Sequence, residues 1–251
     1  MNPSPFITTI GLDQHMVMFG APGAGKSFRT ALQVRGRIQT LLQNRIKPST
    51  YKMIIVDSKN VGLGGDNRLG NFVPLIKTTK GMLVWDWRDI DWTDNHYLYV
   101  YRLLSEAKQD TDNLNEFFQA AHNRMIRTAR GVNTAMPFTI VVDELVDVSS
   151  SASNRVIYLS GLTMILAEGR ASAQTMWIET QTPSYVHGDI RRLTTVRFVF
   201  RLPEPNDREY VANFLGYKVL KQRITDPYGF YYQNDLVDGG RLFYFNGWRD
   251  R

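Results

Sequence analysis

Residues 20–27 of the chain read Gly20-Ala21-Pro22-Gly23-Ala24-Gly25-Lys26-Ser27, which fits the pattern G-x-x-x-x-G-K-[ST]. Each position in that octet has a chemical reason. Glycines let successive backbone N–H groups turn inward around a phosphate, where a Cβ would obstruct them. A helix starting at the end of the octet adds the positive end of its dipole and its free N–H groups. Lys26 is a mobile cation for the β- and γ-phosphates, and the Ser27 hydroxyl is a ligand for Mg²⁺. All eight residues are therefore expected to bind nucleotide.

A second constellation follows far along the chain. Phe138-Thr139-Ile140-Val141-Val142 is an apolar run that ends in Asp143-Glu144. Asp143 is the expected partner of the Mg²⁺ shell. Glu144 has the chemistry to orient and partly deprotonate the water that attacks a γ-phosphate. The plainer alternative is that both acids cap the next turn. A third stretch, Thr175-Met176-Trp177-Ile178-Glu179-Thr180-Gln181, ends in a polar pair. Beside the P-loop strand, Gln181 would contact the γ-phosphate or the attacking water; otherwise it is a turn residue before Pro183. Arg170 precedes that stretch, where a cation can complete a neighbouring subunit's site as an arginine finger or complement a helix C-terminus. No N-K-x-D guanine-reading motif is present, which favours ATP hydrolysis over GTP hydrolysis or small-molecule phosphorylation.

These residues need elements to hold them. Short apolar runs at 15–19, 53–56, 82–85, 97–101, 138–142, 175–179 and 195–202 read as strands. Helical spacing of Phe28, Ala31, Leu32, Val34, Ile38, Leu41 and Leu42 predicts a helix over 27–43. A second amphipathic helix carries Leu114, Phe117, Phe118, Ala121 and Met125 and closes near Gly131, and a third covers 153–168. Strands alternating with helices predict an α/β fold with a mostly parallel central sheet flanked by helices. Gly239-Gly240 before residues 241–245 suggests a small C-terminal β appendix. No Pro/Gly/Ser linker divides the chain, so one domain spans 1–251, with a core over about 14–216 and the appendix over 217–251.

Composition narrows the chemistry further. The 251 residues are 43% hydrophobic and 22% charged, too apolar for a disordered chain. There is no cysteine, which excludes disulfides, thiolate zinc sites, iron–sulfur clusters and cysteine catalysis. The four histidines lack metal-ligand spacing. No apolar run approaches the roughly 20 residues of a membrane span, and the N-terminus lacks a secretory pattern. A soluble intracellular protein is expected. The net charge of +6 is segregated: every charge from Gly20 to Val56 is basic, and acids dominate from Asp86 to Glu116. That pattern suits a polarised surface, subunits meeting basic face to acidic face, or simply solvated helix faces.

In order, GAPGAGKS, IIVDSKN (54–60), FTIVVDEL (138–145) and GRASAQTMWIETQTPSYVHGDIRRLTTVRFVFRL (169–202) resemble the FtsK/HerA superfamily of DNA-pumping ATPases. The chain looks most like the genome-packaging ATPases of tailless icosahedral viruses with an internal membrane. The resemblance runs from about residue 14 to 216 and is most specific at Thr180–Ser184. It implies a RecA-like (ASCE) P-loop NTPase core, ATP and Mg²⁺ as cofactors, and a hexameric ring around double-stranded DNA read without regard to sequence. By position it assigns Lys26 and Ser27 to Walker A, Asp143 and Glu144 to Walker B, Gln181 to the polar sensor and Arg170 to the trans-acting arginine. The family's D-P-K-G stands here as Asp57-Ser58-Lys59-Asn60. A capsid or virion membrane protein is the implied partner, and the host cytoplasm or a packaging vertex the implied location. A HerA-type or conjugative translocase, and an assembly factor with little turnover, remain the alternatives.

Two further clusters stay open. Trp85-Asp86-Trp87-Arg88-Asp89-Ile90-Asp91-Trp92 is either a docking surface or a loop anchored on the core. Arg124, Arg127 and Arg130 track DNA phosphates or pair with a neighbour's acidic region. No DNA-contacting residue is assigned.

Overall fold

The computed structural model describes residues 10–57, 72–103, 107–129, 137–144, 160–186 and 188–246. Ser58-Lys59-Asn60, Arg130 with the helix end near Gly131, and the first half of the 153–168 helix lie outside the described residues.

The seven apolar runs form strands β1 (Met16–Phe19), β2 (Lys52–Asp57), β3 (Met82–Val84), β4 (Leu98–Arg102), β5 (Phe138–Asp143), β6 (Gln174–Thr180) and β7 (Val196–Phe200); the C-terminal segment adds β8 (Phe230–Asn234), which the sequence reading did not single out, and β9 (Leu242–Phe245). Among the described residues they build one nine-stranded sheet in the order β3-β4-β2-β5-β6-β1-β7-β8-β9. All pairs from β3 to β7 are parallel, and β8 and β9 add antiparallel. Every residue of β1, β2, β4, β5, β6 and β7 is buried, as strands covered on both faces must be.

The helices are α1 (Lys26–Gln43), α2 (Val73–Thr79), α3 (Ala107–Ala129), α4 (Ser160–Glu168), α5 (Gly188–Leu193) and α6 (Pro205–Leu215). Strand side chains alternate between two cores. On one face Val17, Phe19, Ile54, Val56, Ile140, Val142 and Ile178 meet Leu114, Phe117 and Phe118 of α3, Leu162, Ile165 and Leu166 of α4, and Val211 of α6. On the other, Met16, Met18, Met53, Ile55, Val141 and Trp177 meet Val34, Ile38 and Leu41 of α1 and Leu75 of α2.

Helices α2, α5 and α6 have no counterpart in the sequence reading. Two of them carried a signal: proline begins the first turn of α2 and α6, and Gly216 at φ +75° closes α6. They are too short for a clear helical period. The C-terminal hairpin joins the end of the sheet and packs on its core. Phe230 and Tyr232 belong to the core on the α1 face, and Arg29 of α1 lies 4.4 Å above the Phe230 ring. The Arg29 guanidinium is so enclosed that burial pulls its pKa down to about 10.

The tryptophan cluster anchors more than it displays. Trp92 is buried with its ring 5.7 Å from Phe138, Trp87 packs against the core, and Trp85 is half-exposed. Asp86 caps the turn Trp87–Asp89 by accepting from the Arg88 backbone N–H at 2.9 Å. Arg124 and Arg127 fall within α3.

Candidate active site

Because β1, β2, β5 and β6 run parallel, their C-terminal ends share one edge of the sheet, the edge where open α/β sheets bind ligands. The turn leaving β1 is fixed on both sides. Gly20 N–H donates to the Thr180 carbonyl at the end of β6 (3.1 Å), and Ala21 N–H to the Arg201 carbonyl just after β7 (2.9 Å). A Cβ on Gly20 would stand 2.6 Å from Phe200 Cβ, so only glycine admits this approach. Gly23 and Gly25 take φ values of +71° and +98°, a left-handed backbone that suits glycine.

Helix α1 starts at Lys26 with no side-chain cap and no acid in its first turn. The positive end of its dipole therefore faces the loop without a local carboxylate, an arrangement that favours an anionic ligand. The buried Lys26 Nζ donates to the carbonyls of Gly20 (2.5 Å) and Ala21 (3.2 Å). Around this loop is a cavity of about 610 Å³, lined by Ala21, Gly23, Lys26, Ser27, Phe28 and Gln181 among others. Its size suits a nucleotide-scale ligand.

The acids come from the neighbouring strands. Asp143 ends β5 and is buried, in register with Asp57 at the end of β2. Glu144 follows at φ +60°, a strained conformation for a residue with a Cβ. Its buried Oε1 accepts from the Gln181 backbone N–H at 2.9 Å. The end of β5 is thereby tied to the end of β6, and β6 lies between β5 and the P-loop strand. Gln181 thus stands beside the P-loop, as the sequence reading placed it.

Arg170 does not join this group. It sits exposed in the turn Gly169–Ser172 before β6, at the opposite edge of the sheet. Seven strand residues at roughly 3.3 Å each separate it from Gln181, about 23 Å. Its neighbour there is His15, whose pKa falls to about 4 because it is buried, with the Arg170 charge adding to the effect. In this chain Arg170 cannot reach its own P-loop.

Two residues at the nucleotide edge escaped the sequence reading. Glu179, buried in β6, accepts from Ser27 Oγ at 3.3 Å. Arg102, buried at the end of β4, is in register with Asp57. The signal for each was a charge at or near the end of an apolar run. Register alone decides which partner it meets.

No family profile matches the chain. It is 26% identical over 216 residues to the DNA translocase FtsK of Chlamydia pneumoniae, covering 79% of this chain and 25% of that protein. Its structure overlays the genome packaging NTPase B204 of Sulfolobus turreted icosahedral virus 2 bound to AMPPCP with a TM-score of 0.61 at 16% identity. That overlay covers 93% of this chain and 97% of B204. The chain is similar in sequence to FtsK translocases and in fold to P-loop ATPases. It spans about a quarter of the length of the curated relatives it matches. It also resembles the pCW3 conjugation coupling protein TcpA with bound ATPγS, at a TM-score of 0.57 and 15% identity over 95% of this chain and 61% of that one. Among the described residues no helix is long and apolar enough to cross a membrane.

Proposed function

We propose that this protein is an ATPase, an ATP-driven translocase of double-stranded DNA that packages a viral genome into a preformed capsid. The observation that carries the reading is the convergence at one sheet edge of the P-loop, Asp143-Glu144 and Gln181, with Glu144 hydrogen-bonded to the Gln181 backbone. The similarity to FtsK translocases supports DNA as the substrate, and the overlay on B204 supports genome packaging as the setting.

In this reading the triphosphate lies in the cavity over residues 20–27. Lys26 exchanges its loop carbonyls for phosphate oxygens, a charge-assisted gain over neutral acceptors. The oxygen donors present suit Mg²⁺: the Ser27 hydroxyl and the Asp143 carboxylate would hold it, together with phosphate. A Mg²⁺ held there would supply charge neutralisation to the bound phosphates. Among the described residues no cluster of three or more His, Cys, Asp or Glu side chains forms a metal cage, so the metal would arrive with the nucleotide. Glu144 orients the attacking water and accepts its proton. Its bond to Gln181 N–H links the position of the water-activating acid to the end of β6, where Gln181 registers loss of the γ-phosphate.

Arg170 acts on a neighbour. Its place at the far edge of the sheet suits a ring in which one subunit's N-terminal edge meets the next subunit's P-loop. A homo-oligomeric ring, a hexamer, with DNA in its channel follows. A capsid or virion membrane protein would seat it at the packaging vertex, after assembly in the host cytoplasm. A conjugation-type translocase is the second reading, favoured by the overlay on TcpA.

The deciding experiment is ATPase rate with and without non-specific double-stranded DNA at low salt. The wild type should be stimulated, and Lys26→Ala and Arg170→Ala should each be inactive. Mixing the two variants should restore activity, because one subunit supplies the intact P-loop and the other the intact arginine. Stimulation that falls as salt rises is the signature of phosphate contacts. A rate indifferent to DNA would overturn translocation, and failure of the mixture to recover would overturn the shared site.

A further inference from the structure

A carboxyl group buried inside a parallel sheet needs hydrogen-bond partners, since losing its water costs several kcal/mol. Glu179 is such a group. It is 1% exposed, lies in β6 opposite Met18 of β1, and sends Oε2 to within 3.3 Å of Ser27 Oγ. It therefore sits beneath the first turn of α1, on the strand between the P-loop strand and the Asp143 strand.

Hydrogen-bond inventory fixes the direction of that contact. An ionised carboxylate only accepts, so Ser27 must donate. A serine hydroxyl has one hydrogen and two lone pairs. With its hydrogen given to Glu179, Ser27 Oγ has only acceptor lone pairs left to offer, and Ser27 lines the cavity beside the glycine-rich loop. A hydroxyl free to rotate would aim its hydrogen at a cation for part of the time.

We propose that Glu179 is a positioning residue for the divalent cation: by taking the Ser27 hydrogen it presents the Ser27 oxygen as a preoriented metal ligand. Carboxylates hydrogen-bonded to metal ligands elsewhere set metal affinity by about 10–100-fold. The inference rests on the reading of residues 20–27 as an ATP·Mg²⁺ site. It adds a residue to that site which the P-loop pattern does not contain.

The test is a Mg²⁺ titration of binding to a fluorescent ATP analogue, with a second binding measurement in EDTA. Glu179→Gln keeps the volume but removes the charge and offers an N–H₂ group that can turn the Ser27 hydroxyl round. Its Mg²⁺ midpoint should rise about 10–100-fold while binding in EDTA stays at the wild-type value. Glu179→Met, which is apolar and of similar size, should fold even if a buried amide does not, and should show the same rise. In a Ser27→Ala background the Glu179 substitutions should shift the midpoint little further, because the hydroxyl they act on is gone. An unchanged midpoint in both Glu179 variants, or an equal loss in EDTA and in Mg²⁺, would overturn the proposal and leave nucleotide binding standing. Failure of the wild type to bind the analogue, or equal binding by Lys26→Ala, would instead overturn the nucleotide site itself.

Discussion

Replacing Glu144 by glutamine separates catalysis from architecture at this site. The side chain is 2% exposed, and its Oε1 accepts the Gln181 N–H at 2.9 Å. A glutamine oxygen can occupy the same position, so the tie between β5 and β6 persists with a neutral acceptor in place of a charged one. That difference is worth about 1 kcal/mol, a fall in melting temperature of roughly 2–4 °C for a chain of this size. The amide cannot take a proton from water. Loss of a positioned general base lowers turnover by about 10²–10⁴-fold, equivalent to roughly 3–5 kcal/mol of barrier. Phosphate release at saturating ATP should fall by that factor, while affinity for a non-hydrolysable analogue holds. Glu144→Gly makes a useful companion. It relieves the left-handed strain at φ +60°, worth about 1–2 kcal/mol, yet should be as inactive as the glutamine variant. Glu144→Gln turning over within about threefold of wild type, well short of the general-base range, with Lys26→Ala inactive, would refute the assignment and move the base elsewhere in the site.

Three other perturbations have defined outcomes. A Cβ on Gly161 would stand 2.7 Å from the α3 backbone at Phe118 and Gln119, so Gly161→Ala should cost about 1–3 kcal/mol in a urea titration by forcing α4 off α3. Lys52 Nζ, fully buried, donates to Asp94 Oδ1 and to the carbonyls of Asp94 and His96. Burial pushes the Asp94 carboxyl up, but hydrogen bonds from Lys52, Tyr99 and His96 outweigh it and hold the group below the usual carboxylate range. Lys52→Met should therefore lower stability by about 3 kcal/mol and leave the ATPase rate of the folded protein unchanged, since the cluster lies at the edge away from the P-loop. His15 is neutral in the fold, with a pKa lowered from 6.5 to about 4. Between those values the unfolded chain takes the proton first, so stability falls as pH drops from 6.5 toward 4, by about 3 kcal/mol at the acid limit. Asn at position 15 can still accept the Met176 N–H that His15 Nδ1 accepts at 3.0 Å, so His15→Asn should flatten this dependence of the urea midpoint on pH.

The amino-acid sequence by itself determined the glycine-rich loop of residues 20–27, because that loop is contiguous. Gly23, Gly25, Lys26 and Ser27 act through local backbone conformation and the start of one helix, and both are encoded within eight residues. The strands were legible for a similar reason: burial on both faces demands unbroken apolar runs such as Met53–Val56 and Phe138–Val142. Tertiary structure decided everything that depends on which strand lies beside which. Parallel register carries Asp143 to Asp57 and Glu144 to Gln181, residues far apart along the chain. It puts Glu179 under Ser27, where strand periodicity says only that a carboxylate is buried. It also sends Arg170 to the edge opposite its own P-loop, although Arg170 lies only eleven positions before Gln181 in the sequence. A strand moves the chain roughly 3.3 Å per residue, so closeness in sequence across β6 becomes separation in space. Only the order of the strands in the sheet turns distant residues into a site.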